Sequence, residues 1–181
     1  MTRSAPIPDS YILPDHGLAA GEYPFSFDRA KGLAKLATFL AAGIDCFIDL
    51  TTRDDPLDPY DRELAELAKA RGVSARYVRL GITDMDVPSP EHMVRILDFI
   101  DAALAAGERP YVHCWGGVGR TGTVVGCFLV RHGLTGDQAL AEVARLFGTM
   151  SPAKVAAHYG ESPQTWEQCE FVRNWSEPPE P

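Results

Sequence analysis

The stretch His113-Cys114-Trp115-Gly116-Gly117-Val118-Gly119-Arg120-Thr121 joins a strand to a helix. Before it, Pro110 to His113 is a short run of strand type; after it, Thr123 to Arg131 has the apolar content of a buried helix. Open α/β sheets bind ligands at the carboxyl ends of their strands, where this stretch lies. Three glycines in the four residues Gly116 to Gly119 let the backbone curl tightly with its N–H groups inward. Such a nest at a helix N-terminus suits a tetrahedral anion such as phosphate. Arg120 would close the ring and fork onto two of its oxygens. Cys114 would then lie at the floor of a cup of positive potential, which favours the thiolate, a competent nucleophile toward phosphorus. The same amides and Arg120 would offset the charge that spreads over a transferring phosphoryl group.

Outward from this unit, strands and helices alternate. Leu33, Leu36, Ala37 and Leu40 give one apolar helical stripe, stopped by Gly43. Cys46 to Leu50 and Ala75 to Leu80 read as strands. Between them, Asp58-Pro59 predicts an N-cap with Pro behind it, followed by Leu64, Leu67 and Ala68 on one face and Gly72 at the end. Residues 81–89 read as a loop. Ser89-Pro90-Glu91 opens a helix carrying Met93, Ile96, Leu97, Ile100 and Leu104, closed by Gly107. Thr135 and Gln138 form a capping box before Leu140, Val143, Ala144 and Phe147. A last helix is expected from near Pro163, with Trp166, Phe171 and Val172, and the tail Glu177 to Pro181 is expected to fray. No repeat or linker divides the chain, so residues 1–181 read as one domain. The fold class is α/β: a mostly parallel sheet of about four or five strands with helices on both faces.

Composition narrows the function. The 181 residues carry 17 Lys and Arg against 25 Asp and Glu, a net charge of −8, which argues against nucleic acid as the main partner. Met1 to Leu13 holds no apolar core of a signal peptide, and Val124 to Val130 is far short of the roughly 20 residues a membrane span needs. The four cysteines, Cys46, Cys114, Cys127 and Cys169, are scattered without a Cys-x-x-Cys pair. That fits a reducing, cytoplasmic setting better than a disulfide framework or a zinc site. Gly117-x-Gly119-x-x-Gly122 matches a dinucleotide fingerprint in letters, but the acidic residue required about 20 positions on would be Glu142, inside a helical pattern. Thr123 follows Gly122 where a nucleoside-triphosphate loop needs Lys.

His113-Cys114-x-x-Gly117-x-Gly119-Arg120-Thr121 resembles the His-Cys-x5-Arg-[Ser/Thr] signature of the cysteine-dependent protein tyrosine phosphatases, and the length fits their dual-specificity-like, single-domain branch. The resemblance implies a protein tyrosine phosphatase-like fold and a two-step reaction through phosphocysteine on Cys114, with no metal and no cofactor. It implies that Cys114, Trp115, Gly116, Gly117, Val118, Gly119 and Arg120 hold the phosphate. Thr121 would assist breakdown of the intermediate, although a helix N-cap is an equal reading of its hydroxyl. His113 would position the thiolate from behind. Ile82-Thr83-Asp84-Met85-Asp86-Val87-Pro88-Ser89 resembles the family's acid loop, with Asp84 as general acid and Asp86 in reserve; a solvated turn is the plain alternative. Ser162-Pro163-Gln164-Thr165-x-x-Gln168 resembles a water-orienting segment, making Gln164 or Gln168 the residue that positions the hydrolytic water. Gly21-Glu22-Tyr23-Pro24 resembles an early strand-turn of the group.

The expected substrate is a phosphorylated protein or peptide bearing phosphotyrosine, with phosphoserine and phosphothreonine as further candidates. An inositol-phosphate or phosphoinositide phosphatase is the alternative, although the uncharged residues 115–119 favour a monophosphate. A non-catalytic phosphate-binding module is the reading from another class. Asp54, Asp55, Asp58 and Asp61 read as a solvated helix entry, and Tyr60 as packing, with a place near the pocket rim as the other reading. His16, His92, His132 and His158 have no metal-ligand spacing.

Overall fold

The computed structural model describes residues 4–178. Five strands, β1 (Ser10–Leu13), β2 (Leu18–Gly21), β3 (Cys46–Asp49), β4 (Arg76–Arg79) and β5 (Pro110–His113), form one sheet in the order β1-β2-β5-β3-β4. β1 pairs antiparallel with β2, and every other pairing is parallel. The mostly parallel sheet is thus as expected. β1 and most of β2 lie in a segment whose hydrophobic pattern is too brief to announce strands.

Alternation along each strand feeds two cores. Phe47 of β3 and Tyr111 of β5 point to one side, against Leu36, Phe39 and Leu40 of α1 (Arg29–Ala41) and Leu64 of α2 (Asp61–Arg71). The Phe39 and Tyr111 rings meet with centroids 4.4 Å apart. Ile48 and Val112 point to the other side, into a cluster with α3 (Pro90–Ala105), α4 (Gly119–Arg131) and α5 (Gly136–Phe147). Each such buried side chain contributes about 1.5–3 kcal/mol over leaving it in water. α4 is buried from Gly119 to Leu129, so it is the helix the others enclose. α6 (Pro152–Ala157) and α7 (Trp166–Arg173) complete the chain.

The helix starts show where local signals win. Ser89 caps α3 with Pro90 behind it, and Thr135 and Gln138 form the expected capping box. The expected start at Asp58-Pro59 is corrected: α2 begins at Asp61, its N-cap is Tyr60, and no side chain caps it. The cause is tertiary, because Tyr60 is drawn fully into the core and the Asp58 carbonyl accepts the Tyr23 hydroxyl at 2.9 Å. The last helix also begins later than Pro163, at Trp166, with Thr165 as N-cap. α6 was not foreseen, although Ser151-Pro152 repeats the cap-then-proline pattern of Ser89-Pro90. In the tail, Glu177 pairs with Arg131, and 179–181 lie outside the described residues. Among the described residues no helix is long and apolar enough to cross a membrane.

Candidate active site

The carboxyl ends of β3, β4 and β5 release three loops that meet around Arg120. The loop after β5 carries Cys114, which is buried to 3% exposure at its floor. None of the backbone N–H groups of Trp115 to Val118 donates to another group among the described residues, which leaves them for an anion. Gly117 cannot be replaced by a larger residue. Its φ is +76°, and a Cβ there would come within 2.4 Å of the Gly21 backbone. The loop is pinned from outside by Tyr23 N–H on the Trp115 carbonyl at 2.9 Å and by the Ser162 hydroxyl on the Val118 carbonyl at 2.8 Å. α4 starts at Gly119 rather than Thr123, so Thr121 sits in its first turn. The cap reading of Thr121 is therefore corrected: the N-cap position is Val118, and the Thr121 hydroxyl is buried without a partner among the described residues.

Arg120 is 1% exposed, and a guanidinium so deeply placed needs partners. Asp55, from the loop after β3, takes it in a fork: Nη1 to Oδ2 at 2.9 Å and Nη2 to Oδ1 at 2.8 Å. Nη1 also donates to the Ile82 carbonyl at 3.1 Å. Asp84, from the loop after β4, reaches Nη2 at 2.9 Å while its carboxyl stays 58% exposed. Nε is buried with no partner among the described residues. A guanidinium N–H and a hydroxyl without protein partners, with four amides unused on one loop, make a donor set suited to an anion.

Asp55 corrects the sequence reading. Its side chain is 3% exposed, so it is no solvated helix entry. Burial alone would raise its carboxyl, but the Arg120 fork and the Thr52 amide and hydroxyl outweigh that and hold it below the usual carboxylate range. Tyr60 is likewise more than packing. Its hydroxyl lies 2.6 Å from His113 Nε2, and His113 Nδ1 lies 3.1 Å from the Cys114 carbonyl. Burial, the largest influence, drops the His113 pKa to about 4, so the ring is neutral near pH 7. A carbonyl only accepts, so Nδ1 carries the proton and Nε2 accepts from Tyr60. Asp49 stands 4.0 Å from Nδ1 and is held by Thr51, Tyr77 and Arg79, with carboxyl distances of 2.6–3.1 Å. Among the described residues no three His, Cys, Asp or Glu side chains converge as metal ligands.

Residues 13–170 match the family described as Swiss Army Knife protein, DSP-PTPase phosphatase domain. The chain belongs to this family. Solved structures share its fold. One is Tk-PTP in the active form, 25% identical, covering 96% of each chain with a TM-score of 0.61. Another is the kinase associated phosphatase with its catalytic-site cysteine changed to serine, 20% identical over 86% of this chain and 83% of that one, TM-score 0.65. A third is PTPMT1 in complex with PI(5)P, 19% identical over 91% and 92%, TM-score 0.65. This DSP-PTPase domain is therefore a cysteine-based phosphatase, a hydrolase with the tyrosine-phosphatase fold.

The remaining expected residues divide within this phosphatase. Asp86 turns its carboxylate onto the Val87 amide at 2.8 Å, away from Arg120. Gln168 is fully buried, its amide atoms lie 2.9 and 3.1 Å from where a Cβ on Gly119 would stand, and its Nε2 has two N–H groups, of which one is engaged. Oε1 accepts from the Gln164 and Thr165 amides at 3.0 and 3.1 Å, and Nε2 donates to the Asp86 carbonyl at 3.2 Å. Gln168 thus ties the start of α7 to the loop 82–89. Gln164 is exposed, and its Cβ lies 3.3 Å from where a Cβ on Gly119 would stand. Beyond Asp55, a cavity of about 530 Å³ is lined by Thr52, Arg53, Asp61 and Arg79 among others.

Proposed function

We propose that this enzyme hydrolyses phosphotyrosine in proteins or peptides, with phosphoserine and phosphothreonine as further substrates, in a cytoplasmic setting. The observation that carries the reading is Asp84 on Arg120 Nη2: one exposed carboxyl reaches the rim of the cup that has Cys114 at its floor. A phosphate dianion entering the cup meets the amides of 115–118 and Arg120 Nε. It also competes for Nη2, releasing the Asp84 carboxylate, which takes up a proton from solvent and faces the ester oxygen. The Cys114 sulfur forms the S–P bond as the P–O bond breaks, and Asp84 gives its proton to the departing oxygen. Water then attacks phosphorus, Asp84 takes back a proton, and the S–P bond breaks. Thr121 donates to the departing sulfur, and Gln164, which is exposed, or the second N–H of Gln168 Nε2, which lies beside Gly119, holds the water. Asp55 positions Arg120, and His113 positions the carbonyl of Cys114.

An uncharged loop from Trp115 to Gly119 supports a monophosphate substrate. Arg53 and Arg79 beside the far cavity favour the second reading, an inositol phosphate. Two measurements decide. Wild type turns over p-nitrophenyl phosphate in the presence of a chelator, whereas Cys114→Ser is silent but still binds phosphate; equal activity in both removes Cys114 from the mechanism. Faster release of phosphate from an inositol phosphate than from a phosphotyrosine peptide would replace the first reading by the second.

A further inference from the structure

Among the described residues six large apolar side chains are exposed, and two of them, Phe27 at 69% and Trp115 at 44%, come together. Both line one cavity of about 200 Å³, together with Phe25 and Leu57. Trp115 belongs to the loop that forms the cup, so the cavity begins where the cup ends. The backbone around it is fixed. Tyr23 N–H holds the Trp115 carbonyl, and the Tyr111 hydroxyl holds the Glu22 carbonyl at 2.6 Å. Phe25 turns inward, its ring so close to Gly32 that a Cβ there would come within 2.5 Å. Phe25 anchors the segment, and Phe27 is left in water beside the reactive centre. Two aromatic rings exposed on one cavity next to the cup point to a contact surface.

The charges at the rim say what that contact is. Among the described residues Lys35 is the one cation lining the cavity, and its Nζ already donates to Glu22 Oε1 and to the Tyr23 carbonyl, both at 2.6 Å. Glu22 Oε2 is taken by Lys154 at 2.9 Å. Asp58 adds a carboxylate to the same wall. A second phosphate placed here would meet a carboxylate and no uncommitted cation, and a chain of net charge −8 is repelled by an anionic lipid surface. Resting on the phosphatase reading above, we infer that the cavity between Trp115 and Phe27 seats an apolar side chain of a phosphorylated peptide, next to the phosphoresidue held in the cup. Trp115 then serves twice, its amide facing the phosphate and its ring facing the neighbouring residue, and Phe27 determines specificity.

The test uses the full chain and two phosphotyrosine peptides that differ only in having Leu or Asp on either side of the phosphotyrosine. Wild type is expected to favour the Leu peptide about tenfold in kcat/KM, the scale of one good aromatic contact. Phe27→Ser is expected to erase that preference, while its turnover of p-nitrophenyl phosphate and its inhibition by vanadate change less than about twofold. Equal rates on the two peptides, a preference for the Asp peptide, or a Leu preference that survives in Phe27→Ser would each overturn the inference alone. So would faster turnover of a phosphoinositide in vesicles or of inositol trisphosphate than of the Leu peptide. No turnover of p-nitrophenyl phosphate by wild type would overturn the phosphatase reading itself, and this subsite with it.

Discussion

The two walls of the phosphate cup are built on opposite principles. Behind Cys114, the side chains of Asp49, Tyr60 and His113 are all removed from water, and each has its hydrogen bonds filled within the protein. In front, Asp84 is 58% exposed, Met85 sits at φ +63° at the tip of an open loop, and Gln164 faces solvent. Burial freezes protonation state and geometry together, because an unpartnered polar group there costs too much to populate. That suits groups that must only hold the loop in shape. A group that trades protons with the leaving oxygen and with water must instead stay within reach of solvent. Arg120 is where the two meet, forked onto buried Asp55 while one of its nitrogens also holds exposed Asp84.

The largest expected effect is on the front wall. Asp84→Asn keeps the size of the side chain but cannot give a proton, so kcat on phosphotyrosine peptides should fall by about 10²–10⁴-fold. A substrate whose leaving group needs no proton should lose far less. The melting temperature should hardly move, since the carboxyl is mostly solvated. A loss as large with a good leaving group would mean that Asp84 serves Arg120 and not the departing oxygen.

The next effect belongs to the back wall and is read in acid. Folding pushes the His113 pKa down to about 4, so the unfolded chain takes the proton first as pH falls. The stability from neutral His113 is complete above about pH 6.5 and drains away between there and pH 4, by about 3 kcal/mol. His16 and His158 are also lowered by burial and lose stability in the same direction as pH falls, so the comparison has to be with His113→Gln. Urea unfolding at pH 7.5 and pH 5 should show a smaller acid loss in that variant than in wild type. An unchanged loss would place the titration at another histidine.

The sequence was most informative where partners are neighbours in the chain. Cys114, the glycines and Arg120 fall within seven residues, so their spacing alone implies a cup at the mouth of a helix. The capping signals at Ser89 and Thr135 are equally local, and both hold. Asp55 was misread because its partner lies 65 residues away. Between Asp54 and Pro56, an acid that faces water and an acid that faces a buried guanidinium are written with the same letter. Tyr60 is legible only in part: it packs in the core as its type suggests, but its bond to His113 spans 53 residues. That tertiary pull also delayed α2 past its Asp58-Pro59 signal. The Thr165-x-x-Gln168 pattern, by contrast, is local and forms a capping box at the start of α7.

Two smaller changes sharpen the contrast between the walls. Tyr60→Phe removes the hydroxyl on His113 Nε2 and leaves a buried acceptor empty, which should cost about 1–3 kcal/mol in urea unfolding. Its kcat should fall by less than about tenfold, because Nδ1 still holds the Cys114 carbonyl. On the front wall, Asp86→Asn should be the mildest of all. The Asp86 carboxylate caps the Val87 amide of its own turn, and the loop's tie to α7 runs through the Asp86 carbonyl to Gln168, which the substitution leaves in place. An asparagine oxygen can still accept from that amide. Turnover of a phosphotyrosine peptide should therefore stay within about threefold of wild type. If Asp86→Asn instead loses more than Asp84→Asn, the loop must rotate on substrate binding so that Asp86 replaces Asp84 over the cup, and the acid would have to be reassigned.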